Sequence, residues 1–133
     1  MKVVLLILIV CSLYEFALAQ GAITMATYRS KQQECIKEQK IPDAEAKHVI
    51  NDRLVPLTSE TFKCFHSCIY KKLGLIAKDK LNDAALLIFA NMRFSKVPTE
   101  TMVTKLKACN TKEPVDCKFL FKFDNCLAVS IAG

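Results

Sequence analysis

The chain has 133 residues, a formal net charge of +6, 52% hydrophobic residues and seven cysteines. This length is typical of a single domain with one modest core. Its lysines occur singly or in pairs, without a block of five or more like charges or a basic stretch interleaved with aromatic residues, so the composition argues against a nucleic-acid-binding protein.

Residues 1–19 have the pattern of a secretory signal peptide. Lys2 supplies a positive charge, residues 3–10 form an unbroken apolar run, and residues 17–19 (Ala-Leu-Ala) offer the small side chains that a signal peptidase recognises. The apolar run is too short to span a bilayer, and no second run of that kind follows. We therefore expect cleavage before Gln20 and a secreted, extracellular protein without a transmembrane segment.

The expected mature domain, residues 20–133, contains an even number of cysteines because Cys11 leaves with the signal peptide. In an exported chain this number predicts three disulfide bridges in preference to metal ligands or free thiols. Each bridge stabilises a fold by about 2–4 kcal/mol. Six cysteines allow fifteen pairings, which the count alone leaves open. The six are Cys35, Cys64, Cys68, Cys109, Cys117 and Cys126.

Glycine and proline divide the domain into helical segments. The mature chain has three glycines, so it offers few positions for the positive-φ turns of a β-rich fold. Four prolines lie between apolar-periodic stretches, where helices begin or end. We predict one all-α domain of about six helices stapled by three disulfides. The predicted helices span about 23–39, 42–52, 58–73, 81–93, 98–109 and 115–130.

The segment 58–73 is predicted to be one amphipathic helix that ends at Gly74. Cys64 and Cys68 are four residues apart, so they share one side of this helix. A bridge between them would strain the helix, because both side chains point the same way. We therefore expect them to bond to two different partners.

The two segments at 81–93 and 115–130 are predicted to be largely buried. The first is apolar nearly all round, which is typical of a central helix. The second carries Cys117 and Cys126 nine residues apart, and at about 100° per residue they face opposite sides of the helix. This last helix is therefore expected to be bridged to neighbours on both sides.

The sequence contains no motif of an enzyme or a metal site. The Gly-x-Ser-x-Gly, His-Glu-x-x-His and phosphate-binding glycine patterns are absent. The histidines are His48 and His66, and His66 lies about 200° around the helix from both Cys64 and Cys68, so these three cannot share a metal ion. We expect no catalytic residue, no metal and no cofactor.

The cysteine spacing is Cys35-x28-Cys64-x3-Cys68-x40-Cys109-x7-Cys117-x8-Cys126. It resembles the six-cysteine pattern of insect odorant-binding proteins, the pheromone and general odorant-binding family, over the whole mature chain. The x3 and x8 intervals are the specific parts of that pattern. The x7 interval is slightly short for the family, and the basic charge differs from many acidic members. The resemblance implies six helices around an apolar cavity, with bridges Cys35–Cys68, Cys64–Cys117 and Cys109–Cys126.

The resemblance also implies a carrier of small lipophilic molecules such as odorants or pheromones, with a chemosensory receptor as a candidate partner. The short tail after Cys126 suggests the hypothesis that Ile131 folds over the cavity mouth as a plug. Acid-triggered release, through protonation of His48 and His66, is a second hypothesis. The candidate pocket residues are Phe62, Phe65, Ile69, Ile88, Met92, Met102, Leu106, Phe119, Phe123, Leu127 and Ile131.

A different class of function is suggested by the charge of +6. A cationic secreted effector would act on membranes or acidic glycans. Such proteins concentrate their lysines, whereas the lysines here are dispersed along the chain. The dispersed charge favours the carrier interpretation.

Overall fold

The computed structural model describes residues 23–50 and 60–132. The predicted signal peptide and its cleavage site lie outside this part of the chain. The described residues form an all-α fold, as predicted. Its helices are α1 (Met25–Glu38), α2 (Asp43–Ile50), α3 (Phe65–Lys72), α4 (Asp83–Arg93), α5 (Thr99–Cys109) and α6 (Cys117–Ala132).

Two short elements complete the described part of the chain. A 3-10 turn at Glu60–Phe62 precedes α3. The strands β1 (Ile76–Ala77) and β2 (Lys80–Leu81) form an antiparallel hairpin between α3 and α4. Within residues 23–50 and 60–132, no helix is long and apolar enough to cross a membrane.

The helix predicted over 58–73 is not continuous. The chain first makes the 3-10 turn, and α3 begins only at Phe65, with Cys64 as its N-cap in a non-helical conformation. Apolar periodicity misses this break because 3-10 and α-helical turns both place residues three apart on nearly the same side. Phe62 and Phe65 therefore remain on one face, with their ring centroids 5.9 Å apart.

The predicted stop at Gly74 is confirmed. Gly74 has a φ of +71°, and the N–H of Leu75 donates to the carbonyl of Tyr70 at 2.9 Å. The N–H of Gly74 donates to the carbonyl of Lys71. This double pattern is the Schellman motif, which satisfies the last carbonyls of a helix and favours glycine at the left-handed position.

The helix predicted from residue 81 begins two residues later, and the hairpin before it was not predicted. Lys78 and Asp79 both have positive φ, 51° and 62°, as in a type I′ turn. Neither residue is glycine, so the scarcity of glycine argues against a β-rich fold but does not exclude a single two-residue turn. Asn82 then caps α4, since its Oδ1 accepts from the N–H of Ala85 at 3.3 Å.

The three disulfides tie the helices to α3 and α6. Cys35–Cys68 joins α1 to α3, Cys64–Cys117 joins the starts of α3 and α6, and Cys109–Cys126 joins the end of α5 to α6. These are the pairs that the family resemblance implies. Cys64 and Cys68 bond to different partners, and α6 is bridged on two sides.

The core lies between α3 and α6, with α1 packed on α3, and with α4 and α5 completing the other side. Its largest fully buried side chains include four phenylalanines and Tyr70. The prediction that 81–93 forms a largely buried, central helix holds for one side of the helix only. In α4, Leu86, Phe89 and Ala90 face the core, while the side chain of Ile88 is 51% exposed.

Candidate ligand-binding site

Most of the candidate pocket residues lie together in the core. Seven of them have at most 3% of their surface exposed, and they come from the 3-10 turn, α3, α5 and α6. The rings of Phe119 and Phe123 are stacked with centroids 5.9 Å apart. These seven therefore contact protein on nearly all sides. They are Phe62, Phe65, Ile69, Met102, Phe119, Phe123 and Leu127.

The remaining four candidates lie nearer the surface. Met92, Leu106 and Ile131 are partly buried and pack against the core. Ile88 is on the outer side of α4, and its 51% exposure does not fit a residue that lines an interior pocket. The apolar run around Ile88 concealed which side of α4 faces outward.

Leu106 also lines an apolar groove between α4 and α5. The groove holds about 210 Å³, and its other aliphatic walls are Leu86, Leu87 and Val103. Leu86 is part of the core, whereas the other three wall residues are half-buried. The groove therefore lies between the core and the surface.

The chain after Cys126 continues α6 and does not fold back as a separate plug. Ile131 lies in the last turn of that helix and packs against the core. Lys105 holds this turn against α5, because its Nζ donates to the carbonyl of Ser130 at 2.6 Å. A basic side chain on a terminal carbonyl is a favourable way to end a helix.

A buried polar cluster lies beside the aromatic core. Asp124 on α6 accepts a hydrogen bond from Arg93 at 2.7 Å and another from the Tyr70 hydroxyl at 2.9 Å. Nδ1 of His66 lies 3.5 Å from the other carboxylate oxygen. The cluster thus joins α3, α4 and α6 through one carboxylate.

Burial and charge act in opposite directions on the pKa values of this cluster. Burial raises the pKa of Asp124, but the charge of Arg93, the neighbouring His66 and the hydrogen bonds from Arg93 and Tyr70 together outweigh it and hold the pKa at about 2. For His66, burial lowers the pKa more than Asp124 raises it. Burial also raises the pKa of the Tyr70 hydroxyl, and Asp124 raises it further. At neutral pH Asp124 is therefore ionised and His66 is neutral.

Arg93 is enclosed by aromatic rings as well as by Asp124. Its guanidinium carbon lies 4.9 Å from the centroid of Phe94, 5.8 Å from that of Tyr28 and 6.0 Å from that of Phe89. Cation–π attraction of this kind contributes about 0.5–2 kcal/mol per contact. These rings and Asp124 together compensate the burial of the guanidinium charge.

The sequence analysis did not predict this cluster, although α6 contained a signal for it. Asp124 lies between Phe123 and Leu127 on an otherwise apolar face. A carboxylate in that position must be buried, and a buried charge requires a partner. Which partner it finds depends on how α4 packs, and the sequence pattern does not determine that.

Across residues 23–50 and 60–132, no group of three or more His, Cys, Asp or Glu side chains is arranged to hold a metal ion. Gln32 on α1 is 1% exposed, and its Oε1 has no hydrogen-bond partner among the described residues. The site thus combines packed aromatic and aliphatic side chains with a few buried polar atoms.

Comparison with protein families identifies the family of this chain. The profile of the PBP/GOBP family matches residues 19–129, which is most of the chain. The chain belongs to the PBP/GOBP family. PBP/GOBP proteins are small carriers that bind odorants or pheromones, and theirs is a family of binding proteins, not of enzymes. No curated protein and no solved structure matched the chain.

Proposed function

We propose that this protein is secreted and carries small lipophilic molecules, such as odorants or pheromones, within its apolar core. Membership of the PBP/GOBP family is the observation that carries the proposal. The three bridges support it, because they hold the helices in place while interior side chains move to admit a ligand. The signal-like residues 1–19 support secretion. A chemosensory receptor is the partner we would test first.

The ligand would lie among the seven buried candidates, with Met92 and Ile131 on the side nearer the solvent, whereas Leu106 also faces the separate groove between α4 and α5. A ligand must displace side chains there, since the seven are packed closely. Methionines such as Met102 adapt most easily to a new neighbour. Burial of about ten methylene groups contributes roughly 8 kcal/mol before the costs of association, which leaves micromolar affinity.

The experiment is displacement of N-phenyl-1-naphthylamine, an apolar fluorescent probe, by small lipophiles at physiological salt. We expect saturable one-to-one binding that is lost after reduction and alkylation of the cysteines. Binding to anionic vesicles or acidic glycans that disappears with added salt, without probe binding, would contradict the proposal and would favour a cationic effector.

A further inference from the structure

We propose a second binding site, outside the core, for a single-chain amphiphile with a zwitterionic head group. The site consists of two depressions that meet on the surface. One is the apolar groove between α4 and α5, and the other is a polar basin between the β1–β2 hairpin and the loop that follows α5. Asp83 and Asn110 line both depressions, so the two are adjacent.

The apolar groove has the size of a short alkyl segment. Leu86 forms its floor, and Leu87 and Val103 are half-buried in its walls. Its volume of about 210 Å³ is below the roughly 300–1,000 Å³ that encloses a drug-sized ligand. The groove therefore fits part of an alkyl chain, whose burial removes both the chain and these side chains from water.

The polar groups of the groove lie together at one end. Asp83 is the first residue of α4, while Lys107 and Asn110 lie in the last turn of α5 and just after it. A short loop, residues 94–98, joins the two helices, so they run antiparallel and these ends meet. An amphiphile is oriented by this arrangement, with its chain along the groove and its head group in the basin.

The charges around the basin favour a head group that carries both signs. Three lysines and three carboxylates surround the two depressions, all of them exposed. None of the six makes a salt bridge with another residue of the described chain. A head group with one charge would meet repulsion as well as attraction, whereas a zwitterion has a partner for each sign. The six are Asp79, Lys80, Asp83, Lys107, Lys112 and Glu113.

The volume of the basin agrees with such a head group. It holds about 610 Å³, nearly three times the groove, and it is open to solvent. A phosphocholine group fits there while it keeps much of its hydration, which limits the desolvation cost of its two charges. The proposed ligand is therefore an alkylphosphocholine-type molecule, with its alkyl chain in the groove.

The experiment is a titration of the ¹⁵N-labelled protein with octylphosphocholine below its micelle-forming concentration. We expect saturable shifts at amides of the first two turns of α4 and the last two turns of α5. Leu87→Lys places a charge in the groove wall and should weaken the binding at least tenfold. Ile88→Lys is the matched control, because Ile88 is the next residue, is exposed and does not line the groove; its affinity should stay within twofold.

Two further measurements separate this site from the core. Saturation with N-phenyl-1-naphthylamine should leave the octylphosphocholine affinity unchanged, and Leu87→Lys should retain probe binding and the native circular dichroism. Three results would each overturn the proposal. They are equal effects of Leu87→Lys and Ile88→Lys, competition between octylphosphocholine and N-phenyl-1-naphthylamine, and the absence of saturable shifts in the groove. The zwitterionic assignment would be overturned if octyl sulfate or octyltrimethylammonium shifted the same amides and bound more tightly than octylphosphocholine.

Discussion

Asp124 is a buried carboxylate on α6, 4% exposed. Its carboxylate receives Arg93 and the Tyr70 hydroxyl and lies beside His66, in a core otherwise composed of apolar side chains. A buried ion pair of this kind is weak evidence for stability, because the desolvation of both charges offsets their attraction. Its clearer consequence is geometric, since this packing of α3, α4 and α6 brings Tyr70, His66 and Arg93 to the same carboxylate.

Asp124→Asn should destabilise the protein by about 3–5 kcal/mol, because it leaves the charge of Arg93 buried without its counter-ion. Urea unfolding with the bridges intact measures the change. Asp79→Asn is the control, since Asp79 is exposed in the hairpin turn and asparagine tolerates a positive φ; it should change the free energy of unfolding by less than about 0.5 kcal/mol. Equal effects of the two substitutions would contradict a structural role for the cluster.

The pH dependence of stability should carry the signature of the same carboxylate. The pKa of Asp124 is about 2 in the fold and 3.8 in its absence, so the unfolded chain binds more protons between these values. The stability contributed by the ionised carboxylate is therefore present above about pH 4 and is lost as the pH falls towards 2. Unfolding free energies measured across this range should fall steeply for the native chain and less steeply for Asp124→Asn.

His66 adds a second loss of stability on acidification, which begins at a higher pH than the loss from Asp124. Its pKa is lowered from 6.5 by burial, so folding favours the neutral ring and stability decreases as the pH falls below that value. His66→Asn should flatten the stability curve in mildly acidic solution, whereas His48→Asn, at an exposed position, should not. A curve unchanged by His66→Asn would contradict the buried, neutral histidine.

At the scale of single elements, the last turn of α6 is the one that bears on our proposal for ligand access. Ile131 packs on the core there, and the turn is held by Lys105 through the carbonyl of Ser130. This attachment replaces the hypothesis of a tail that folds over the pocket. If the turn controls access to the core, it acts by fraying of the helix end.

Lys105→Met should therefore increase the dissociation rate of N-phenyl-1-naphthylamine several-fold and lower the free energy of unfolding by at most about 3 kcal/mol, because a hydrogen bond from a charged group contributes about 1.5–3 kcal/mol. Stopped-flow dissociation measures the rate. Lys122→Met, on the exposed side of α6, is the control and should leave the rate unchanged. A rate unchanged by Lys105→Met would show that the ligand leaves by another route.

The elements also show what the sequence pattern could and could not predict. Periodicity, proline positions and Gly74 located all six helices, and they failed where two conformations share a pattern. The 3-10 turn before α3 keeps Phe62 in register with the helix, so the break was invisible. The hairpin turn at Lys78 and Asp79 lacks the glycine that normally signals a positive φ.

At the scale of the whole molecule, the disulfides connect distant parts of a small core. Their sequence separations are 17 residues for Cys109–Cys126, 33 for Cys35–Cys68 and 53 for Cys64–Cys117. Chain-entropy arguments give about 3 kcal/mol for the shortest of these loops and about 4 kcal/mol for the longest. The bridge at the start of α6 is therefore expected to matter most.

Paired serine substitutions test this order. Cys64→Ser with Cys117→Ser should lower the free energy of unfolding by about 1 kcal/mol more than Cys109→Ser with Cys126→Ser. Thermal or urea unfolding of the two double variants provides the comparison. A larger loss from the shorter loop would mean that local packing around Cys109, and not chain entropy, decides the contribution of the bridges.

The global arrangement was more predictable than the site. The cysteine spacing resembles that of one family, and this resemblance implied the three disulfide pairs. Three bridges strongly restrict how the helices can be arranged. The candidate pocket residues were chosen by apolar periodicity, which separates buried from exposed positions but not core from ligand contact. Periodicity placed Ile88 in the set, although α4 turns it outward, and it omitted Asp124 and Arg93, whose burial depends on contacts between helices.

The most direct test of the account is where an apolar ligand contacts the protein. Nuclear Overhauser effects between bound N-phenyl-1-naphthylamine and the ¹³C-labelled protein would locate it. We expect contacts with Phe119, Phe123 and Leu127, the buried side chains of α6. Contacts confined to exposed apolar residues such as Ile88 and Val129 would contradict a carrier that binds its ligand in the core.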